Sequence, residues 1–194
     1  MSRILVAYST NSGSTAEVAE TVAVILRQGG HTADVKTTAA AADLNGYDAV
    51  VVGAPMIFGW QKTARQFVKR HQGDLAGKKV AYFACAMRLT RAAGEPLPET
   101  ALTLDANLVS DPVKPGALNF KERFTTLDHY LQPMLKAAPG VKPVSVAFFN
   151  GRLEMYRLKW WQAAFVMMVV QAAPGDYRDW DAIRAWGEEL GKVL

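Results

Sequence analysis

Residues Thr10-Asn11-Ser12-Gly13-Ser14-Thr15 place four hydroxyls, one amide and one glycine in a single uncharged turn. At the start of a helix, free backbone N–H groups and the helix dipole favour an anion, and hydroxyls add further donors. Gly13 permits positive φ or a close backbone approach. Such a turn can hold a phosphate dianion without any cation. The dinucleotide pattern GxGxxG fails here because Gly13 is its only glycine, and the nucleotide loop GxxxxGK[ST] fails for want of a lysine. A Mg²⁺-dependent phosphoacceptor site needs acids after the first strand, where Tyr8-Ser9-Thr10 offers none.

The flanks of the turn say what must position it. RILVAY, residues 3–8, reads as a buried strand, and Val18, Val22, Ile25 and Leu26 recur at helical spacing over 14–28, up to a stop at Gly29-Gly30. Further strands are expected at Ala33–Thr37, at 48–55 (DAVVVGAP), at 78–86 (KKVAYFACA) and at 142–151 (KPVSVAFFNG), with a candidate short strand at 101–104 inside a Pro- and Gly-rich insertion. Continuous β-branched runs such as 48–55 mark strands covered on both faces. A basic amphipathic helix is expected near 62–72, with Ala64, Phe67, Val68 and His71 inward. Another is expected over 119–136, with Phe120, Phe124, Leu127 and Leu131 on one side and Pro133 bending or ending it. The last helix carries Trp180, Ile183, Trp186 and Leu190 inward and Asp179 as N-cap. Alternating strands and helices imply an α/β domain with a parallel sheet covered on both faces, read as one domain over 1–194. Ligands then lie beyond the carboxyl ends of the strands.

Composition narrows the classes. The 194 residues are 50% hydrophobic, and the single Cys85 excludes an internal disulfide and suits a reducing cytoplasm. The N-terminus opens on a strand without a basic-then-apolar leader, so a cytoplasmic location is expected. Three scattered histidines show no metal-ligand spacing, so no metal is expected. The net charge is +4, but residues 60–91 hold eight Lys/Arg against Asp74 alone, which suggests an acidic partner or a solvated basic face. No nucleic-acid motif accompanies the basic block, so no nucleic acid is expected.

The TNSGST spacing resembles the FMN-phosphate loop of flavodoxins, which implies a flavodoxin-like five-stranded sheet in the order 2-1-3-4-5, with insertions at about 92–119 and 151–175. FMN is then the cofactor, and Ser9, Thr10, Asn11, Ser12, Gly13, Ser14 and Thr15 take the phosphate positions. The loop after the third strand packs on the isoalloxazine in that family, which implies Pro55, Met56, Ile57, Phe58, Gly59 and Trp60 here. An alternative tucks Phe58 or Trp60 into the core. The loop after the fourth strand flanks the flavin's pyrimidine edge, which implies Cys85, Ala86, Met87 and Arg88. Cys85 itself reads as a buried strand residue.

GAPMIFGWQKTARQFVKRH, residues 53–71, is similar to the matching segment of menaquinone-dependent protoporphyrinogen oxidases, and the similarity returns from FFNGRLEMYRLKWW to DYRDWDAIRAWGEEL. Residues 92–140 depart from it. That resemblance implies electrons passing from a reduced substrate, such as a porphyrinogen, through FMN to a quinone. An electron carrier without its own substrate is the alternative. Arg65, Arg88, Arg91 and Arg152 are candidates to pair with substrate carboxylates, and no side chain stands out as a catalytic acid or base. The apolar run 160–173 is too short to span a bilayer. Two readings stay open for 158–172: a helix packed on the domain or at a homodimer contact, and an interfacial helix at the cytoplasmic face of the membrane.

Overall fold

The computed structural model describes residues 1–56, 59–92, 100–153 and 173–194. Strands β1 (Arg3–Tyr8), β2 (Thr32–Thr37), β3 (Ala49–Pro55) and β4 (Lys79–Ala86) lie where the apolar runs put them. Between them run α1 (Ser14–Gln28), α2 (Lys62–Arg70) and the short α3 (Gln72–Ala76). Beyond β4 come β5 (Leu89–Thr90), β6 (Ala101–Leu104) and β7 (Val109–Ser110), then α4 (Phe120–Arg123), α5 (Leu127–Lys136) and β8 (Ser145–Asn150). The chain ends with β9 (Arg152–Leu153), β10 (Gly175–Asp176) and the helix α6 (Trp180–Val193).

The main sheet is parallel throughout, in the order β2-β1-β3-β4-β8-β6. It contains the expected 2-1-3-4-5 order and adds a sixth strand, because residues 101–104 pair with β8 at the edge. Each strand divides its side chains between two cores. Leu5, Ala7, Val50, Val52, Tyr82 and Phe148 face α2, α3 and α5, whereas Ile4, Val6, Val51, Phe83 and Phe149 face α1 and α6. The alternation follows from the two-residue strand period, and it explains why these strands read as unbroken apolar runs. The step from β6 back to β8 carries α5 on the α2 side, so its hand is opposite to that of the β1–α1–β2 and β3–α2–β4 crossovers. Local bonds pin this short edge strand: the Asp105 N–H donates to the Phe148 carbonyl, and the Asp105 carboxylate accepts from the Asn150 N–H at 3.0 Å.

The expected continuous helix over 119–136 breaks in two. Asn119 and Glu122 form a reciprocal capping box that opens α4, and the Thr126 hydroxyl accepts from the His129 N–H to start α5 afresh. The break changes the helical phase. Leu127 and Leu131 are buried as expected, but Phe120 and Phe124 point to solvent. Pro133 sits inside α5, which runs on to Lys136. The buried Glu122 carboxylate accepts from the Val113 and Asn119 N–H groups, each at 2.8 Å, and lies 3.8 Å from Arg88.

Close packing holds the middle of the sheet. A methyl group added at Gly53 would lie 1.9 Å from Phe83 Cζ, and that ring is fully buried against Phe149 and Trp186. Gly53→Ala is expected to lower the unfolding free energy by about 2–3 kcal/mol through overpacking, read from urea denaturation. A wild-type midpoint would refute that contact. The Val113 and Asn119 amides, then Arg88, hold the Glu122 carboxyl below its ordinary value, against the effect of burial. Its stabilisation is therefore complete above roughly pH 4.3 and is lost as the pH falls through the depressed value. Glu122→Gln is expected to be less stable than wild type at neutral pH, with the gap closing in acid. A gap independent of pH would contradict this.

Candidate functional site

The carboxyl ends of β1, β3 and β4 are level. Tyr8 pairs with Gly53, Pro55 with Cys85, and Ala86 with Asn150 across the neighbouring strands. The loops that leave these ends therefore rise from one edge of the sheet. In the first loop Gly13 adopts φ 92°, which a β-carbon would strain, and its N–H donates to Thr10 Oγ1 at 2.8 Å. The helical ladder of α1 starts with the Glu17 N–H on the Gly13 carbonyl. The N–H groups before it, in the first turn, have no acceptor within the helix.

Hydrogen bonds tie the loops together. Buried Ser9 meets Thr38 Oγ1 at 2.7 Å and accepts from Thr63 Oγ1 at 2.9 Å, linking β1, the end of β2 and α2. Gln61 Nε2 donates to Asn11 Oδ1, and the Gln61 N–H closes the second loop onto the Pro55 carbonyl at 3.2 Å. In that loop Gly59 takes φ 100° with open space where a side chain would be, and Met56 is buried with its N–H on the Cys85 carbonyl. Trp60 is only 1% exposed, packed 5.2 Å from the Tyr82 ring, so it belongs to the core on the α2 side rather than to the edge. Ile57 and Phe58 lie outside the described residues. In the third loop Ala86 is buried, Met87 and Arg88 are half-buried, and Tyr130 donates to the Arg88 carbonyl at 3.0 Å. Cys85 faces the α1 side beside Thr15, and burial pushes its thiol up to about 12 against the opposing effects of Thr15 and Arg178. A thiol held neutral in this way is a packing residue and not a nucleophile.

The arrangement fits a phosphate-bearing group. Each loop has a buried polar atom without a hydrogen-bond partner: Thr15 Oγ1 in the first, Gln61 Oε1 in the second and Arg88 Nε in the third. Thr15 Oγ1 neighbours the Cys85 thiol but falls short of a formed hydrogen bond. Buried polar atoms are ordinarily satisfied, so such orphans point to a missing ligand or water. Other such atoms include Trp60 Nε1 and Tyr82 Oη in the core on the α2 side and His71 Nε2 at the end of α2. A shallow groove between α1 and α6, lined by Ile25, Gly29, Gly187 and Gly191, is at the far end of α1. Among the described residues no cluster of His, Cys, Asp and Glu could hold a metal ion.

Sequence reasoning missed the ionic clamp on the first turn of α1. The buried Arg178 guanidinium donates to the Ser14 carbonyl at 3.2 Å, pairs with Glu17 at 2.9 Å and with Asp176 at 2.5 Å, and stacks on Trp180 at 4.4 Å. Arg152 reaches the other oxygen of Glu17 at 2.8 Å. Glu17 alone would repel an anion at this helix end, and two guanidinium groups offset it. In the sequence Arg178 is one charge in a polar turn, with nothing to mark its reach across the fold. Of the four arginines proposed to meet substrate carboxylates, Arg88 faces Glu122, Arg91 meets Asp111 at 3.1 Å and Arg152 meets Glu17. Arg65 is exposed on α2 with no ion pair among the described residues.

The flavodoxin domain model matches residues 5–179, and the chain belongs to that family. Its cofactor is FMN. Along 98% of its length and 96% of the relative's, it is 23% identical to the protoporphyrinogen IX dehydrogenase [quinone] of Escherichia coli K12. Among solved structures, Bacillus cereus flavodoxin 1 is 17% identical with a TM-score of 0.52, covering 100% of this chain and 99% of that one. The two-electron reduced flavodoxin of Megasphaera elsdenii is 14% identical with a TM-score of 0.53, covering 97% of this chain and 98% of that one. The structural likenesses show the same α/β fold.

Thr15→Val keeps the shape of the buried side chain and removes its orphaned hydroxyl. The apoprotein is expected to be at least as stable as wild type, while FMN affinity falls about tenfold or more, as for a lost bond to a charged group. Fluorescence titration with FMN and thermal melting of the apoprotein read the two effects separately. Unchanged affinity would show that the hydroxyl does not meet the cofactor.

Proposed function

We propose that this protein is an FMN-dependent oxidoreductase that accepts electrons from a small reduced substrate and passes them to a quinone. The observation that carries the reading is the match to the E. coli protoporphyrinogen dehydrogenase over nearly the whole of both chains. In this reading Thr10 to Thr15 hold the phosphate at the α1 terminus, with Ser9 and Asn11 tying that loop to α2. The loop of Pro55 to Gly59 and the loop of Ala86 to Arg88 flank the ring. Bound FMN supplies the transfer of one or two electrons, and the protein supplies binding, orientation and shielding. No acid–base pair among the described edge residues competes with that assignment. Lys62 and Arg65, exposed where α2 leaves the second loop, offer cations to a substrate bearing carboxylates, a porphyrinogen among them. Residues 158–172, the expected interfacial or dimer-forming helix, lie outside the described residues.

A second reading, an electron carrier without its own substrate, draws on the likeness of the fold to the two flavodoxins. Anaerobic reduction of the FMN-loaded protein, followed by mixing with a menaquinone analogue, distinguishes the two. Reoxidation by the quinone, and reduction of the oxidised protein by protoporphyrinogen, are the expected outcomes. Reoxidation only by a protein acceptor would favour the carrier.

A further inference from the structure

The segment between β6 and α5 carries Asp105, Asp111 and Glu122 against Lys114, Lys121 and Arg123, and so has no basic character as sequence. Folding sorts these charges. Asp105 and Glu122 turn inward, where the Asn107 and Asn150 N–H groups satisfy the first and the Val113 and Asn119 N–H groups satisfy the second. Asp111 is paired with Arg91. Lys114 and Arg123 stay exposed at the surface. Among these cations stand apolar groups facing water: Phe120 is 77% exposed, Val113 74% and Phe124 48%. The two phenyl rings meet edge to face at 5.0 Å, and the Val113 N–H on Glu122 ties Val113 to the same short helix. The segment is joined to the carboxyl edge through the pairing of β5 with β7 and the bond from the Asn150 N–H to Asp105.

We propose that this surface, centred on Phe120, Phe124 and Val113, docks the protein on an anionic lipid bilayer. Exposed phenyl and branched aliphatic groups ringed by lysine and arginine match a headgroup layer: apolar groups enter it while the cations meet lipid phosphates. An acidic protein face would complement the cations but would leave two phenyl rings without that apolar layer. The contact brings the edge bearing the flavin loops to the phase in which quinones dissolve. The proposal rests on the quinone reading for its purpose and not for its test.

The test is flotation of the FMN-loaded full chain with vesicles of phosphatidylcholine alone or mixed with phosphatidylglycerol, with no quinone or substrate present. Wild type is expected to float with the mixed vesicles, to stay behind with phosphatidylcholine, and to be released by salt. Phe120→Ser with Phe124→Ser, and separately Lys114→Glu with Arg123→Glu, are expected to lower partitioning about tenfold or more while flavin absorbance and melting stay as in wild type. Wild type that does not float overturns the proposal, as it would if the partner were a protein. Flotation undiminished in both double variants also overturns it, by placing the contact elsewhere in the chain. Normal flotation without quinone turnover would count against the proposed reaction alone.

Discussion

The site depends on how the chain passes from β1 into α1. A strand buried on both faces ends at Tyr8, and within a few residues the backbone must reverse into a helix whose first turn is also enclosed. Gly13 makes the reversal sterically free, and Thr10 takes up its N–H. The remaining N–H groups of that turn cannot be satisfied within the helix, and water has little access to residues as enclosed as Ser14 and Thr15. An anion would resolve that conflict, and the phosphate of FMN is the one proposed for it. The same constraint accounts for the unpaired Thr15 hydroxyl in the first turn of that helix.

The electrostatics of that turn need a second element. Glu17 suits the start of α1 in the absence of ligand, since an acid there complements the helix dipole. With a phosphate bound, the same carboxylate becomes a liability. Arg152 donates to both of its oxygens, Arg178 shares one of them, and Arg178 also reaches the Ser14 carbonyl. The turn thus keeps its positive potential with an acid one helical step away. No free cation is spent on the ligand, which is why the loop itself can be uncharged.

Much of this was legible in the sequence. Strand runs, the stop at Gly29-Gly30 and the Asp179 cap depend on local pattern, and local pattern is where side-chain periodicity and turn chemistry act. The turn from β1 into α1 was legible for the same reason, as a strand, a hydroxyl-rich turn and a helix in continuous order. Trp60 was ambiguous because an aromatic beside a glycine turn serves an edge or a core equally well, and only its contact with Tyr82 decides. Phe120 and Phe124 were misplaced because a single helical period was extended across two caps, Asn119 and Thr126, each of which restarts the phase. The Arg178 clamp could not be read at all, and of the sixth strand only the short run at 101–104 was legible, not its place beside β8. Both rest on partners far away in the chain, with no trace in the local pattern.

The clamp also bears on the passage between residues 153 and 175. Its two ends are held together by the antiparallel pairing of Gly175 with Leu153 and Asp176 with Arg152. The stem is tied in turn to the start of α1. Arg152 on one side and Asp176, through Arg178, on the other both lead to Glu17 in the first turn of α1. Any shift of the stem must therefore break charge-assisted bonds to the turn proposed to hold the phosphate. The ends of the passage with the least ordinary composition in the chain are thus anchored to the proposed phosphate loop, and the sequence positions that join them, 17, 152 and 178, are the ones at which the two would be uncoupled.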